Sequence, residues 1–390
     1  MQRTVSKLSS AVSQRKNQAS SLFWRSFSHS SSRNAFGIAF DIDGVLIRGN
    51  SPIGGSPQAL NKLYHPEGSL KVPYCFLTNG GGVRESKRAI ELSKLFGVGV
   101  SSSQVLHGHS PFKQLAHKYP LLQPFVLSCL IHQLWEPKFE NDFVVAVGKG
   151  EPAAVMSEYG FKDVISIDDY TLCFDNIDPL APQKKWTVNG SSEPSPELKK
   201  YVRSQKVQAV FVVSDSVDWS RDIQVLCDIL RTGGLPGGEI GSQPPLYFAH
   251  DDLKYQGAFP TERFGIGAFR ISLQSVFNSI HPHPLQYSAV GKPNPLAFKN
   301  AETTLRKLYN HMIANQDCGG ISPFETLYMI GDNPSVDIKG AQEAGRPWFS
   351  ILTRTGVFRG KENDQEYPAD MVVDTVEDAV DFILDKENSS

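Results

Sequence analysis

The sequence lacks most of what would mark a disulfide scaffold, a zinc ribbon or a membrane protein. Five Cys (75, 129, 173, 227 and 318) are scattered through 390 residues. No two of them form a C-x-x-C pair, and so odd and sparse a set excludes both a disulfide framework and a cysteine-built zinc site. No apolar run reaches the roughly 18 residues that a membrane-spanning helix needs. Neither charge sign dominates: 39 Lys and Arg against 41 Asp and Glu give a formal net charge of -2. That balance leaves no electrostatic footprint for nucleic acid. What is present, 40% hydrophobic and 21% charged residues with 32 Gly and 25 Pro, is ordinary globular composition. The length suits two domains, or one domain with a large insertion.

One absence is local. Residues 1–34 contain no acid, and the first carboxylate of the chain is Asp41. The same stretch carries Arg3, Lys7, Arg15, Lys16, Arg25 and Arg33, many Ser, and no apolar h-region. A basic, Ser-rich, acid-free leader of this kind reads as an organellar transit peptide, with a disordered basic tail as the alternative. Arginine spread through it favours mitochondrion over plastid. Without those six cations the balance becomes 33 basic against 41 acidic residues, so the remaining protein is acidic.

Beyond the leader, apolar strands alternate with amphipathic helices, the pattern of a parallel sheet wrapped by crossovers. Phe36–Phe40 ends at Asp41, Val72–Leu77 at Thr78-Asn79, Tyr287–Val290 at Gly291-Lys292, and Thr326–Ile330 at Gly331-Asp332. Trp348–Leu352 and Met371–Val373 follow as late strands, and Val376–Leu384 as a closing helix. Open parallel sheets carry their chemistry at the carboxyl edge, so these strand ends are the places to look. Nearly two hundred residues separate the second strand from the third. With strand candidates at 143–147, 164–167, 207–213 and 246–249, they read as an inserted α/β domain. The expected division is a leader at 1–34, a core from 35–100 and 285–390, and an inserted cap at 101–284. Residues 121–138 are apolar and interrupted by Pro124, and fit none of these elements.

Asp41-Ile42-Asp43-Gly44 closes the first strand, and two carboxylates one residue apart point the same way in an extended chain. Gly331-Asp332-Asn333-Pro334-Ser335-Val336-Asp337 closes another. Both patterns after apolar strands, in this order and with Thr78 and Lys292 at two further strand ends, are improbable by chance. Weaker signals stand beside them. Gly80-Gly81-Gly82 is a joint between core and cap or a plain loop. His107-Gly108-His109 reads as a surface helix start rather than a metal pair. Asp215, Asp218, Asp251 and Asp252 lie at strand ends of the insertion, where helix capping is favoured over contact with substrate.

These residues resemble the motifs of the haloacid dehalogenase superfamily of aspartate-nucleophile phosphohydrolases: Asp41-x-Asp43, Thr78, Lys292, and Gly331-Asp332 with Asp337. The insertion is similar to the larger, C2-type cap of subfamily IIA, which includes nucleotide, sugar and phosphoglycolate-type phosphatases. Val145–Gly148, Glu158–Phe161, Gly265–Ala268 and Gly291-Lys292-Pro293 carry that likeness, which covers about residues 35–385. Within the subfamily the chain looks like a eukaryotic mitochondrial branch. The resemblance implies a doubly wound, Rossmannoid α/β core and a Mg²⁺-dependent phosphatase.

The roles expected of the residues follow from phosphoryl-transfer chemistry. Asp41 attacks phosphorus, and Asp43 protonates the leaving oxygen and later deprotonates water. The side chains of Asp41 and Asp332 with the backbone carbonyl of Asp43 would offer Mg²⁺ the oxygen ligands it prefers. Asp337 and Asn333 would orient coordinated waters. Lys292 balances charge, and with it the Thr78 hydroxyl and nearby backbone N–H groups, at Asn79 and Gly80, hold phosphoryl oxygens. The partner expected is a small phosphorylated molecule, with no nucleic acid and no transmembrane segment, and a homodimer through the cap stays open. Two other readings stay open: a phosphatase of glycerophosphate or of a phospholipid headgroup, and a non-catalytic binding protein that keeps the fold.

Overall fold

A computed structural model describes residues 35–116, 138–184, 193–313 and 323–389. The leader at 1–34 and the apolar stretch, apart from Lys138, lie outside the described residues. In chain order the strands are β1 (Ala35–Phe40), β2 (Ile47–Arg48), β3 (Ser51–Pro52), β4 (Tyr74–Thr78) and β5 (Val105–His107). Then come β6 (Phe143–Val147), β7 (Asp163–Ser166), β8 (Ala209–Val212), β9 (Leu246–Phe248), β10 (Lys254–Tyr255), β11 (Arg263–Phe264) and β12 (Ser288–Ala289). The chain finishes with β13 (Phe324–Gly331), β14 (Trp348–Thr353) and β15 (Met371–Val373).

They form two main sheets. The first has the order β15-β14-β13-β1-β4-β5 and the second β12-β9-β8-β6-β7. The β1–β4, β4–β5, β13–β14 and β14–β15 pairs are parallel. All four pairs of the second sheet are parallel too. Sequence explains this: every residue of Tyr74–Thr78 and of Phe143–Val147 is buried, and near-continuous apolar runs are what a sheet covered on both faces requires. The crossover helices supply the covering stripes. Trp219–Arg231 buries Val225, Leu226, Ile229 and Leu230 at helical spacing, and starts where the Asp218 side chain accepts the Arg221 N–H. In the second sheet the Phe211 ring meets Phe112, Phe139, Phe161 and Tyr247 at centroid distances of 5.1–5.8 Å. Aromatic pairs of this kind each add about 0.5–1.5 kcal/mol beyond the area they bury.

Strand pairing moves both edges expected for the inserted part. Val105–His107 joins the first sheet through β4, so the core continues past residue 100. Ser288–Ala289 pairs with β9, so the strand expected at Tyr287–Val290 belongs to the second sheet. The first is three residues long and the second two, too short for either to announce its partner by periodicity. Both sheets reverse their strand order, between β1 and β13 in one and between β6 and β8 in the other. Ligands of doubly wound sheets bind at the carboxyl ends flanking such a reversal.

Candidate active site

A cavity of about 280 Å³ opens where the two sheets' carboxyl edges meet, and Asp41, Asp43, Thr78, Asn79, Gly80, Lys292, Asp332, Asn333 and Asp337 all line it. Every candidate drawn from the motifs is therefore in one place. At its floor Lys292 Nζ lies 2.7 Å from Asp41 Oδ1 and 2.6 Å from Asp337 Oδ1. Lys292, Asp332 and Asp337 are each at most 2% exposed. Asp332 Oδ2 accepts the Val357 N–H at 2.6 Å, and Asp337 Oδ2 accepts the N–H groups of Asp332 and Asn333 at 3.2 and 3.0 Å. Gly44 permits this packing. It holds φ +92°, and a Cβ there would fall 2.4 Å from Asp332 Oδ2.

Three buried carboxylates against one ammonium make an unbalanced charge set. Burial and then the Asp41 and Asp337 charges push the Asp332 carboxyl well above its ordinary range. Burial raises Asp41 despite the opposing Lys292, and Asp337 is raised, chiefly by burial, to about 6. For Lys292 burial works the other way, yet the Asp337 and Asp41 carboxylates outweigh it and hold the ammonium above its ordinary value. Carboxylate oxygens of Asp41, Asp332 and Asp337 lie within 4.8 Å of one another. A buried cluster with excess negative charge and only oxygen donors fits a hard divalent cation. Asp43 is partly exposed to the cavity, and burial raises its carboxyl against the pull of Arg88, Lys149 and Lys292. A carboxyl raised in this way can carry a proton for a leaving group.

Some polar side chains beside the motifs are committed to other contacts. The Asn79 side-chain amide is spent on structure. Its Nδ2 donates to Asp252 Oδ1 at 2.8 Å and to the Lys292 carbonyl at 2.9 Å, and its Oδ1 accepts the Lys292 N–H at 2.9 Å. It clamps two strand ends together, which leaves its side chain no free donor for phosphate. Asn79→Ala is accordingly expected to cost about 2–3 kcal/mol in urea unfolding, an amount that phosphate binding alone would not explain. Asn333 Oδ1 accepts the Ser335 hydroxyl at 2.9 Å. Thr78 Oγ1 accepts the Gly80 N–H at 3.1 Å, and its own O–H remains available to a ligand.

Sequence reading missed Lys149 and favoured helix capping for Asp215. Lys149, after β6, and Asp215, after β8, line the cavity and pair at 2.8 Å. The signal was Gly148-Lys149-Gly150 at a strand end, which becomes informative only once the strand order places it at a reversal. Of the four acids at strand ends in the insertion, Asp218 caps a helix, Asp251 pairs with Arg270 at 2.9 Å, and Asp215 and Asp252 face the cavity. His107 and His109, expected on the surface, are buried.

Comparison with known proteins agrees with this architecture. Family models described as haloacid dehalogenase-like hydrolase and HAD-hydrolase-like match residues 38–162 and 289–379. A mitochondrial hydrolase of Saccharomyces cerevisiae is 33% identical over 93% of this chain and 98% of its own length. A Schizosaccharomyces pombe fusion of cardiolipin synthase with a mitochondrial hydrolase is 32% identical over 90% of this chain and 53% of its own length. Among solved structures, one described as a possible sugar phosphatase of Cytophaga hutchinsonii has a TM-score of 0.56 at 15% identity, covering 89% of this chain and 96% of that one. The chain belongs to the haloacid dehalogenase-like hydrolases.

Proposed function

We propose that this chain is a Mg²⁺-dependent phosphatase of small phosphorylated metabolites that acts in mitochondria. The observation that carries the reading is the floor of the cavity, where Asp41 sits against Lys292 beside a buried acidic cluster. In this reading an Asp41 oxygen attacks phosphorus, the bond to the leaving oxygen breaks, and Asp43 gives that oxygen its proton. The product alcohol departs and an aspartyl phosphate remains. Asp43, now ionised, takes a proton from water as the water attacks phosphorus, which frees inorganic phosphate and restores both carboxyl groups. Lys292 offsets the charge of Asp41, and the Thr78 hydroxyl donates to a phosphoryl oxygen. Asp41, Asp332 and the Asp43 carbonyl would hold Mg²⁺, with Asp337 and Asn333 around its waters, and the ion would offset the repulsion between carboxylate and phosphate.

A cavity of about 280 Å³ beneath a second sheet favours compact substrates over phosphoproteins. The Schizosaccharomyces pombe fusion partner supports a second reading, a phosphatase of glycerophosphate or of a phospholipid headgroup. With all motif residues intact, a binding protein without catalysis is disfavoured. A panel of phosphorylated metabolites, with p-nitrophenyl phosphate as the general probe, tests the proposal in the presence of Mg²⁺. Phosphate release from at least one small ester is expected, and none from any member would overturn the reading.

Compartment has its own test. Residues 1–40 fused to a fluorescent reporter should direct it to mitochondria, because six like charges and no acid before Asp41 suit import. Reporter spread through the cytosol would refute targeting, and plastid accumulation would correct the compartment.

A further inference from the structure

His107 and His109 are buried titratable groups with no part in the chemistry above, and their contacts form a directed chain. His107 Nδ1 lies 2.6 Å from the Gly80 carbonyl oxygen. A carbonyl only accepts, so Nδ1 carries the hydrogen; burial lowers the pKa of both rings, which leaves them neutral with bare Nε2 atoms that have no partner. The two rings stack at 4.8 Å. His109 Nδ1 meets the Tyr159 hydroxyl at 2.7 Å, and that hydroxyl donates to Glu85 Oε1 at 2.5 Å. Tyr159 closes a helix that flanks the second sheet, whereas Glu85 opens the helix after β4 in the first. Burial opposes ionisation of Glu85, but Lys113 and Tyr159 overcome it and hold the carboxyl at about 2, so the chain ends on a fixed anion.

The other end of the chain is the loop at the cavity. A trans peptide points its N–H away from its C=O. Tying the Gly80 carbonyl to His107 therefore turns the Gly81 N–H to the opposite side. Gly80 and Gly81 both line the cavity, and among the described residues the Gly81 N–H has no acceptor. Glycine is required at 81 for the histidines to come so near, since a Cβ there would lie 2.6 Å from the His109 ring.

We propose that His107 is a positioning residue that aims the Gly81 N–H at a phosphoryl oxygen, and that His109, Tyr159 and Glu85 tie this aim to the seating of the second sheet. The inference rests on the phosphatase reading, because the ligand it orients toward is a phosphoryl group. It accounts for a buried His pair beside the cavity loop, and for a hydrogen-bond chain that crosses from one sheet's helix to the other's.

The test uses the full chain, with inorganic phosphate as the inhibitor and p-nitrophenyl phosphate as the substrate. Wild-type turnover, measured first, bears on the phosphatase reading alone, and the comparison of variants bears on His107. His107→Asn keeps an N–H donor near the Nδ1 position, whereas His107→Leu removes it. His107→Leu should raise the phosphate inhibition constant and the KM about tenfold, the worth of one lost oriented donor. His107→Asn should stay within about threefold of wild type. Tyr159→Phe, remote from the ligand, should raise the inhibition constant about threefold. Equal effects of Asn and Leu at 107 would overturn the positioning role, since a space-filling histidine gives that result. An unchanged inhibition constant in Tyr159→Phe, whatever its thermal stability, would overturn the tie to the second sheet.

Discussion

Asp41→Asn should reduce phosphatase turnover at least ~10³-fold while the protein stays folded, because the loss of a nucleophile alone typically costs that much. The substitution preserves shape and removes only the attacking charge. Lys292 keeps Asp337 at 2.6 Å, so its ammonium does not lose its last partner. Backbone placement is unaffected too, since the Asp41 N–H donates to the Ile330 carbonyl at 2.9 Å whatever the side chain. Steady-state phosphate release and circular dichroism, measured together, separate chemistry from folding. A folded variant that retains more than a thousandth of wild-type turnover would exclude the aspartyl-phosphate route. Asp43→Asn makes a useful partner because it removes the proton donor and spares the nucleophile. Its deficit should be smaller for p-nitrophenyl phosphate, whose leaving group needs less protonation, than for an alkyl phosphate.

The floor of this site was legible in the sequence alone, and the reason is local. Asp41 and Asp332 follow apolar strands and Thr78 ends one, so each motif carried its own structural context. Lys292 was placed correctly even though its strand was assigned to the wrong sheet, because Gly291-Lys292 follows the end of β12 in either arrangement. The walls were not legible. Lys149 and Asp215 become neighbours only through the β6–β8 pairing, and nothing in a single strand encodes its partner. His107-Gly108-His109 looked like a surface helix start because a three-residue strand shows no periodicity. The task of the Asn79 side chain was not legible either, because its amide is committed to Lys292, which lies 213 residues further along the chain. Local pattern specifies the strand ends, whereas long-range closure decides which polar groups remain free for a ligand.

Metal removal should produce the other large effect, with a signature in stability as well as in rate. Turnover should vanish in excess chelator and return with Mg²⁺, and full activity in chelator would show that the acidic cluster holds no required ion. Binding of an ion to the folded state alone also raises stability, by about 2.7 kcal/mol at a hundredfold excess over Kd. The melting temperature should therefore rise with Mg²⁺. Its dependence on pH follows from the carboxylates. An acid whose pKa is raised by folding gives stability at low pH that is lost as pH rises through the folded value. For Asp337 that window runs from the ordinary 3.8 to about 6, and Asp332 extends it upward. In chelator these groups should lower the melting temperature as pH rises across that range, and Mg²⁺ should offset the loss increasingly once the carboxylates ionise. Asp332→Asn sharpens the test by separating the two readouts. It removes one of three crowded negative charges, so the metal-free variant should melt no lower than metal-free wild type. It also removes a ligand, so the variant should lose most of its turnover and most of its thermal response to Mg²⁺. A variant that melts far below wild type in chelator would mean that the Asp332 carboxylate itself serves the fold, since an asparagine oxygen can still accept the Val357 N–H, whereas an undiminished Mg²⁺ response would place the ion elsewhere.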